Sequence, residues 1–263
     1  MKQYSLTVLK NERIAKDHFV MRFEFPGKAE KIMPGQFVNV SLNQPAHLLP
    51  RPFSVWDAGN NQISILYKVF GEGTACLARV QMGETLPVLL PLGNKFPKVP
   101  AKGLCLLSGG IGVVPLYFFV KRLFEKSPAE AGRIRVYLGA SNQSGIVCRE
   151  DFQEWGCLVT LSTDDGSLGQ KGTCLQAFQE DLKKEGPFAK TIFSCGPHGM
   201  LRAVAKFGES QGIPTYLAAE EVMGCGFGAC VGCAIPARQG TTEMPYKLVC
   251  TDGPVFEAGE IEW

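Results

Sequence analysis

The chain has 263 residues, 45% of them hydrophobic and 20% charged, with 27 basic against 25 acidic side chains. This is the composition of a soluble globular protein with room for two domains and a small appendage, and a net charge of +2 gives no argument for nucleic acid or a membrane surface as partner. The N-terminal Met-Lys-Gln-Tyr-Ser-Leu-Thr-Val has no secretory apolar core and no apolar run reaches membrane-spanning length. A cytoplasmic location is therefore expected, with the ten cysteines read as reduced thiols rather than a disulfide framework.

Residues 1–98 read as β structure. Runs with alternating, β-branched or aromatic character fall at 4–10, 18–25, 36–42, 52–56, 62–69 and 86–92. Pro26-Gly27, Pro34-Gly35, Asn43-Gln-Pro45 and Gly59-Asn-Asn61 punctuate them, and one short helix fits at 73–80. Many short strands predict a barrel or a sandwich. After a Pro- and Lys-rich linker at 96–103 the pattern changes. Strands at 104–107, 133–139, 158–162, 191–195 and 214–217 alternate with helices at 113–125, at 149–155, within 171–184 and at 199–211. That alternation predicts a parallel sheet covered on both faces. From about residue 220 the chain turns Gly- and Cys-rich. The expected architecture is α+β multidomain: an antiparallel β-barrel at 1–98, an α/β nucleotide domain at 99–218 and a small cluster module at 219–263.

Cys225, Cys230, Cys233 and Cys250 are spaced C-x4-C-x2-C with sixteen residues before the last thiol. This is the plant-type spacing of a [2Fe–2S] cluster. Gly224, Gly226, Gly228 and Gly232 surround the ligands, where a chain wrapping a cluster needs little bulk and amides free to face sulfur. Zinc and a redox disulfide compete, although structural zinc usually comes as two C-x2-C knuckles. Cys76, Cys105, Cys148, Cys157, Cys174 and Cys195 are scattered, mostly among apolar residues, and read as core.

Two nucleotide-competent regions precede the cysteines. In Ser108-Gly-Gly-Ile-Gly-Val-Val-Pro115 a strand gives way to a helix, so Gly109, Gly110 and Gly112 let amides approach a pyrophosphate and Pro115 suits the first helical turn. The competing reading is a tight turn alone. In the β region, Arg51, Pro52, Phe53 and Ser54 combine a guanidinium fork, an apolar face and a hydroxyl, as phosphate and flavin would need. The bland alternative is a surface Arg beside a buried Phe. Leu66, Tyr67 and Lys68, then Gly73 and Thr74, supply an aromatic, a cation and a second helix start. Cys195-Gly196-Pro197 and the Asp164-Asp165 pair end strands at the carboxyl edge where α/β domains bind ligands. The two carboxylates favour the ribose hydroxyls of NAD over a 2′-phosphate, or else are solvated turn residues. His18, His47 and His198 are isolated, and no catalytic triad or carboxylate pair is visible. A cofactor doing the chemistry needs none.

Together these motifs resemble the ferredoxin–NADP reductase superfamily, in which an R-x-[FY]-[ST] strand binds flavin and a G-G-x-G-x-x-P turn binds the nicotinamide pyrophosphate. In that family a C-G-P turn sits by the nicotinamide. Residues 51–54, 109–115 and 195–197 match, and Pro34-Gly-Gln-Phe37 fits its barrel. The order of segments, with the stretches 220–233 and 250–256, resembles the electron-transfer subunits of class B dihydroorotate dehydrogenases. The resemblance implies FAD at Arg51–Ser54, Leu66–Lys68 and Gly73–Thr74, NAD at the α/β edge, and the cluster on the four cysteines. It further implies a separate FMN-containing catalytic subunit that oxidises dihydroorotate in pyrimidine biosynthesis, two of each in a heterotetramer. The alternative is the small subunit of an NAD(P)H–ferredoxin oxidoreductase or a hydrogenase-linked flavin reductase. Plant-type members end in an aromatic residue stacked on the flavin, whereas this chain runs on into cysteines. Trp263 is accordingly read as a packing residue.

Overall fold

The computed structural model describes residues 1–43 and 48–263. His47 and most of the Asn43-Gln-Pro45 turn lie outside them. Six antiparallel strands close a barrel in the order β1 (Lys2–Ala15), β2 (His18–Glu24), β5 (Gln62–Lys68), β4 (Arg51–Gly59), β3 (Phe37–Val40) and β6 (Thr85–Leu92). The period-2 pattern explains closure. In β6 every second residue, Leu86, Val88, Leu90 and Leu92, is buried, and Leu6 and Val8 of β1 join them inside. Asn60 and Asn61, at φ 50° and 55°, make the tight β4–β5 hairpin in a conformation that Asn tolerates.

The helix expected at 73–80 is shorter, α1 (Glu72–Leu77). The Asn11 amide takes the carbonyls of Leu77 (3.0 Å) and Val80 (2.9 Å), which stops the helix there. Asn11 is itself held by the Tyr67 hydroxyl, which donates to its Oδ1 at 2.9 Å.

Beyond the barrel, β7 (Leu104–Gly109), β8 (Arg135–Ala140), β9 (Leu158–Thr163), β10 (Gln170–Lys171), β11 (Thr191–Cys195) and β12 (Thr215–Ala218) form a parallel sheet in the order β10-β9-β8-β7-β11-β12. The helices α2 (Val113–Lys126), α3 (Pro128–Ala131), α4 (Arg149–Glu154), α5 (Cys174–Glu185) and α6 (His198–Gln211) connect its strands. The helix expected within 171–184 is α5, which begins directly after Thr173. The Thr173 hydroxyl accepts from the Gln176 amide (3.2 Å) and Gln176 Oε1 accepts from the Thr173 amide (2.8 Å), a reciprocal cap.

The cysteine-rich tail adds β13 (Ala234–Pro236), β14 (Tyr246–Leu248) and β15 (Val255–Glu257). β13 and β14 pair with each other, while β15 extends the nucleotide sheet antiparallel to β12, with Leu217 opposite Phe256. Two compact units result. One comprises Met1–Lys95, Glu221–Ala234 and Leu248–Pro254; the other Phe96–Glu220, Ile235–Lys247 and Val255–Trp263. A division at 218/219 follows chain order, whereas in space the tail is shared. Trp263 donates its indole N–H to the Ala258 carbonyl at 3.0 Å and packs on the core of the nucleotide unit. Among the described residues no helix is long and apolar enough to cross a membrane.

Candidate functional site

All four cysteines of the predicted cluster set belong to the barrel unit, and all ten in the chain are free thiols. Cys233 and Cys250 are buried, Cys225 is half-buried and Cys230 is exposed. The side chains gather as two pairs, Cys225 with Cys230 and Cys233 with Cys250, and the charge of Cys225 is felt at Cys250. Among the described residues no three His, Cys, Asp or Glu side chains are drawn up around a single metal ion.

Backbone amides are aimed at the sulfurs. Phe227 N–H donates to Cys225 Sγ at 3.5 Å and Gly232 N–H to Cys230 Sγ at 3.5 Å. Burial alone would push the Cys225 thiol up, but the amides of Phe227, Cys230 and Ala229 with the Cys230 side chain hold it at about 7. Burial, then the Cys233 side chain, pushes Cys250 up to about 12. Two irons needing two thiolates each match two pairs of thiols, and amides directed at sulfur match the anionic cluster. The residues fit the group.

Local geometry shows why the loop reads as it does. Val231, a β-branched residue, is held at φ 58° between Cys230 and Gly232, a conformation found where a tight wrap over-determines the backbone. The Cys-Thr-Asp-Gly-Pro stretch anchors Cys250. Asp252 Oδ2 accepts from Leu248 N–H at 2.7 Å, the Gly253 carbonyl accepts from Asn94 N–H at 2.6 Å, and the Asp252 carbonyl accepts from the Asn94 amide at 3.0 Å.

The flavin-strand residues converge in the same unit. The Arg51 guanidinium donates to the Leu49 carbonyl and lies so close to Gly73 that a Cβ there would run into it. The Thr74 hydroxyl accepts from Phe70 N–H (2.9 Å) and Gly71 N–H (3.1 Å), fixing the turn before α1. Pro52, Phe53 and Ser54 are half-buried along β4, and Lys68 is exposed. Leu66 and Tyr67, on opposite faces of β5, are both buried, at 3% and 1% exposure. The Tyr67 ring packs on Phe19 and Phe53, and burial then lifts its phenol well above the ordinary range. The Pro34-Gly-Gln-Phe37 turn is tied by Gln36, whose Oε1 accepts from Met33 N–H at 2.9 Å and whose Nε2 donates to the Gly93 carbonyl at 3.2 Å.

In the nucleotide unit the two glycine motifs meet at adjacent strand ends, Ser108 of β7 pairing with Cys195 of β11. A Cβ on Gly112 would overlap the Cys195 carbonyl, and one on Gly109 would strike Pro197 and Met200. Gly110 takes φ 54° and faces open space, Gly196 abuts Gly109, and Pro115 is buried in the first turn of α2. No side chain caps the start of α2 at Gly112, leaving a helix N-terminus suited to an anion.

Asp164 and Asp165 hang from the ends of β8 and β9, their amides bonded to the carbonyls of Ala140 (3.0 Å) and Ser141 (3.3 Å). The Ser167 hydroxyl and amide hold the Asp165 carboxylate below the usual range. Sequence reasoning missed Glu220, just past β12. It is solvent-accessible yet set among enough protein that burial raises its carboxyl, and its charge reaches the buried Cys195 thiol. Nothing in a lone Glu-Glu pair signals that.

Comparison with known proteins bears on this arrangement. Residues 5–96 match an oxidoreductase FAD-binding domain, 106–206 an oxidoreductase NAD-binding domain, and 220–262 the iron–sulfur cluster binding domain of dihydroorotate dehydrogenase B. A dihydroorotate dehydrogenase B (NAD(+)) electron transfer subunit from Caldanaerobacter subterraneus is 35% identical over 97% of this chain and 96% of its own. The chain belongs to this family. The same subunit from Geobacillus kaustophilus is 38% identical over 97% of both chains.

Family membership makes this an oxidoreductase subunit with FAD-, NAD- and iron–sulfur-binding regions. Among solved structures, a chain of an NADH-dependent reduced ferredoxin–NADP oxidoreductase superposes with TM-score 0.83 at 27% identity, over 99% of this chain and 90% of that one. Phthalate dioxygenase reductase, at TM-score 0.60, 21% identity and coverage of 79% and 64%, shares the fold.

Proposed function

We propose that the chain relays electrons from a separate FMN-containing subunit, which oxidises dihydroorotate, to NAD+ in pyrimidine biosynthesis, within a cytoplasmic heterotetramer of two relay and two catalytic subunits. The observation that carries the reading is the two thiol pairs built into the same compact unit as the Arg51–Ser54 strand. FAD and the [2Fe–2S] cluster, when bound, supply conversion between one-electron and two-electron transfer. Dihydroorotate gives up two electrons and two protons; NAD+ takes both electrons with one proton, and the other proton goes to solvent.

The chain's residues bind and orient. Cys225 and Cys230 would hold one iron and Cys233 and Cys250 the other. Arg51, Ser54, Gly73 and Thr74 form the cradle for the FAD phosphates, with the Arg51 fork against Gly73 fixing its aim. Pro52 and Phe53 give an apolar wall, Lys68 a cation, and Leu66 and Tyr67 contribute backbone because their side chains are committed to the core. Gly109, Gly110, Gly112 and Pro115 open the NAD pyrophosphate site, and Cys195, Gly196 and Pro197 abut it. Asp164 and Asp165 face the ribose and select NAD, which NADH-against-NADPH kinetics on Asp164→Ser would test. The working segments are 1–98, 99–218 and 219–263.

The deciding experiment is anaerobic titration with dihydroorotate, with and without the catalytic subunit, followed by absorbance and EPR. Flavin bleaching and a rhombic [2Fe–2S] signal that require both dihydroorotate and the partner support the relay. Reduction by NADH alone, with no response to dihydroorotate in the complex, overturns it. That result would favour the ferredoxin-linked reading, to which the similarity with the ferredoxin–NADP oxidoreductase chain points.

A further inference from the structure

Asn39 is out of character for its position. It is 1% exposed on β3, where Phe37, Val38 and Val40 are all apolar and buried. Asn has a low strand propensity, and a buried amide costs free energy unless both its ends are bonded. Only one end is. Nδ2 donates to the Cys225 carbonyl at 3.0 Å, while among the described residues the buried Oδ1 has no hydrogen-bond partner. A carbonyl requires a donor, so this contact fixes which end of the amide faces the loop.

The loop is shaped to receive it. Gly226 follows Cys225 at φ 82°, and a Cβ there would run into Asn39 Nδ2. On its other side Asn39 pairs in register with Pro52 of the Arg51–Ser54 strand. One side chain therefore links the backbone of the flavin strand's neighbour to the peptide of the first cluster ligand.

We propose that Asn39 is a positioning residue for the cluster loop: it clamps the Cys225–Gly226 peptide so that the Phe227 amide stays on the Cys225 sulfur, which raises the reduction potential of the bound cluster. The inference deepens the relay reading and rests on its assignment of a [2Fe–2S] cluster to these cysteines. Donors on sulfur favour the more negative, reduced form. Without the clamp the peptide before a glycine is free to rotate, the amide drifts, and the potential falls.

The test is EPR-monitored potentiometry of the purified chain with dithionite, which needs neither dihydroorotate nor the partner. Asn39→Leu should lower the cluster midpoint by about 59 mV, a tenfold change in a one-electron equilibrium, and alter its g values, with FAD content unchanged. Gly226→Ala should perturb the signal strongly alone and less in an Asn39→Ala background, where the clash is gone. An Asn39→Leu chain with wild-type midpoint and g values overturns the proposal. So does a Gly226→Ala effect that is equal in both backgrounds, or joint loss of FAD and cluster from Asn39→Ala. A wild-type chain with no two-iron signal overturns the cluster assignment as well, so the two failures are told apart.

Discussion

At the scale of single residues, the cluster-binding region was legible from cysteine spacing, because a two-iron cluster imposes both its ligand type and its chain geometry. The pairing of the cysteines and the amides aimed at Cys225 were not, since they depend on the φ values of Gly226 and Val231 rather than on composition. Cys233→Ala should abolish the two-iron signal and dihydroorotate-linked reduction while NADH-to-dye reduction stays largely intact; loss of both together in steady-state assays would refute that.

Glu220 gives a prediction in pH. Burial raises its carboxyl in the folded chain, so the folded state holds this proton more tightly than the unfolded state does. Stability is then full below the unfolded value of about 4.3 and declines as pH rises through the folded value. Glu220→Gln removes that loss. Thermal melts of the cofactor-free chain should show the variant equal to wild type near pH 4 and more stable than wild type at pH values above the ordinary carboxyl range.

At the scale of elements, alternation and turn residues located the strands and helices, and the errors have local causes. The helix before β6 ends early because Asn11, distant in sequence, captures the carbonyls of Leu77 and Val80. Tyr67→Phe would leave Asn11 Oδ1 without its donor and should cost about 1–3 kcal/mol in urea unfolding. The strand 214–217 looked like the last of its sheet, but three residues near the C-terminus, β15, were too short to carry a periodic signal. The glycine-rich turn was visible as a motif, whereas its partner was not: Gly112 is small because the Cys195 carbonyl lies against it. Gly112→Ala should destabilise the nucleotide unit by about 1–3 kcal/mol and weaken NADH binding by titration calorimetry, with the two-iron signal unaffected.

At the scale of the whole molecule, the chain order of barrel, α/β sheet and cysteine-rich tail was readable because each has its own hydrophobic period or composition. The division of that tail between two compact units was not, since nothing in residues 221–263 marks which stretch belongs to which. Deleting residues 255–263 removes β15 and the Trp263 packing but no cluster ligand; differential scanning calorimetry should show a destabilised chain that still takes up iron and sulfide.

The tail passes from the barrel unit to the nucleotide unit, back, and across again within forty-three residues. This bears on inheritance and on engineering. The cysteine stretches are not a cassette that recombination could graft onto any flavin reductase, because the recipient barrel would need a matching Asn39 for the Cys225 peptide and a matching Asn94 for the Asp252–Gly253 turn. The capacity to carry an iron–sulfur centre in this way is gained or lost together with the barrel wall that receives it.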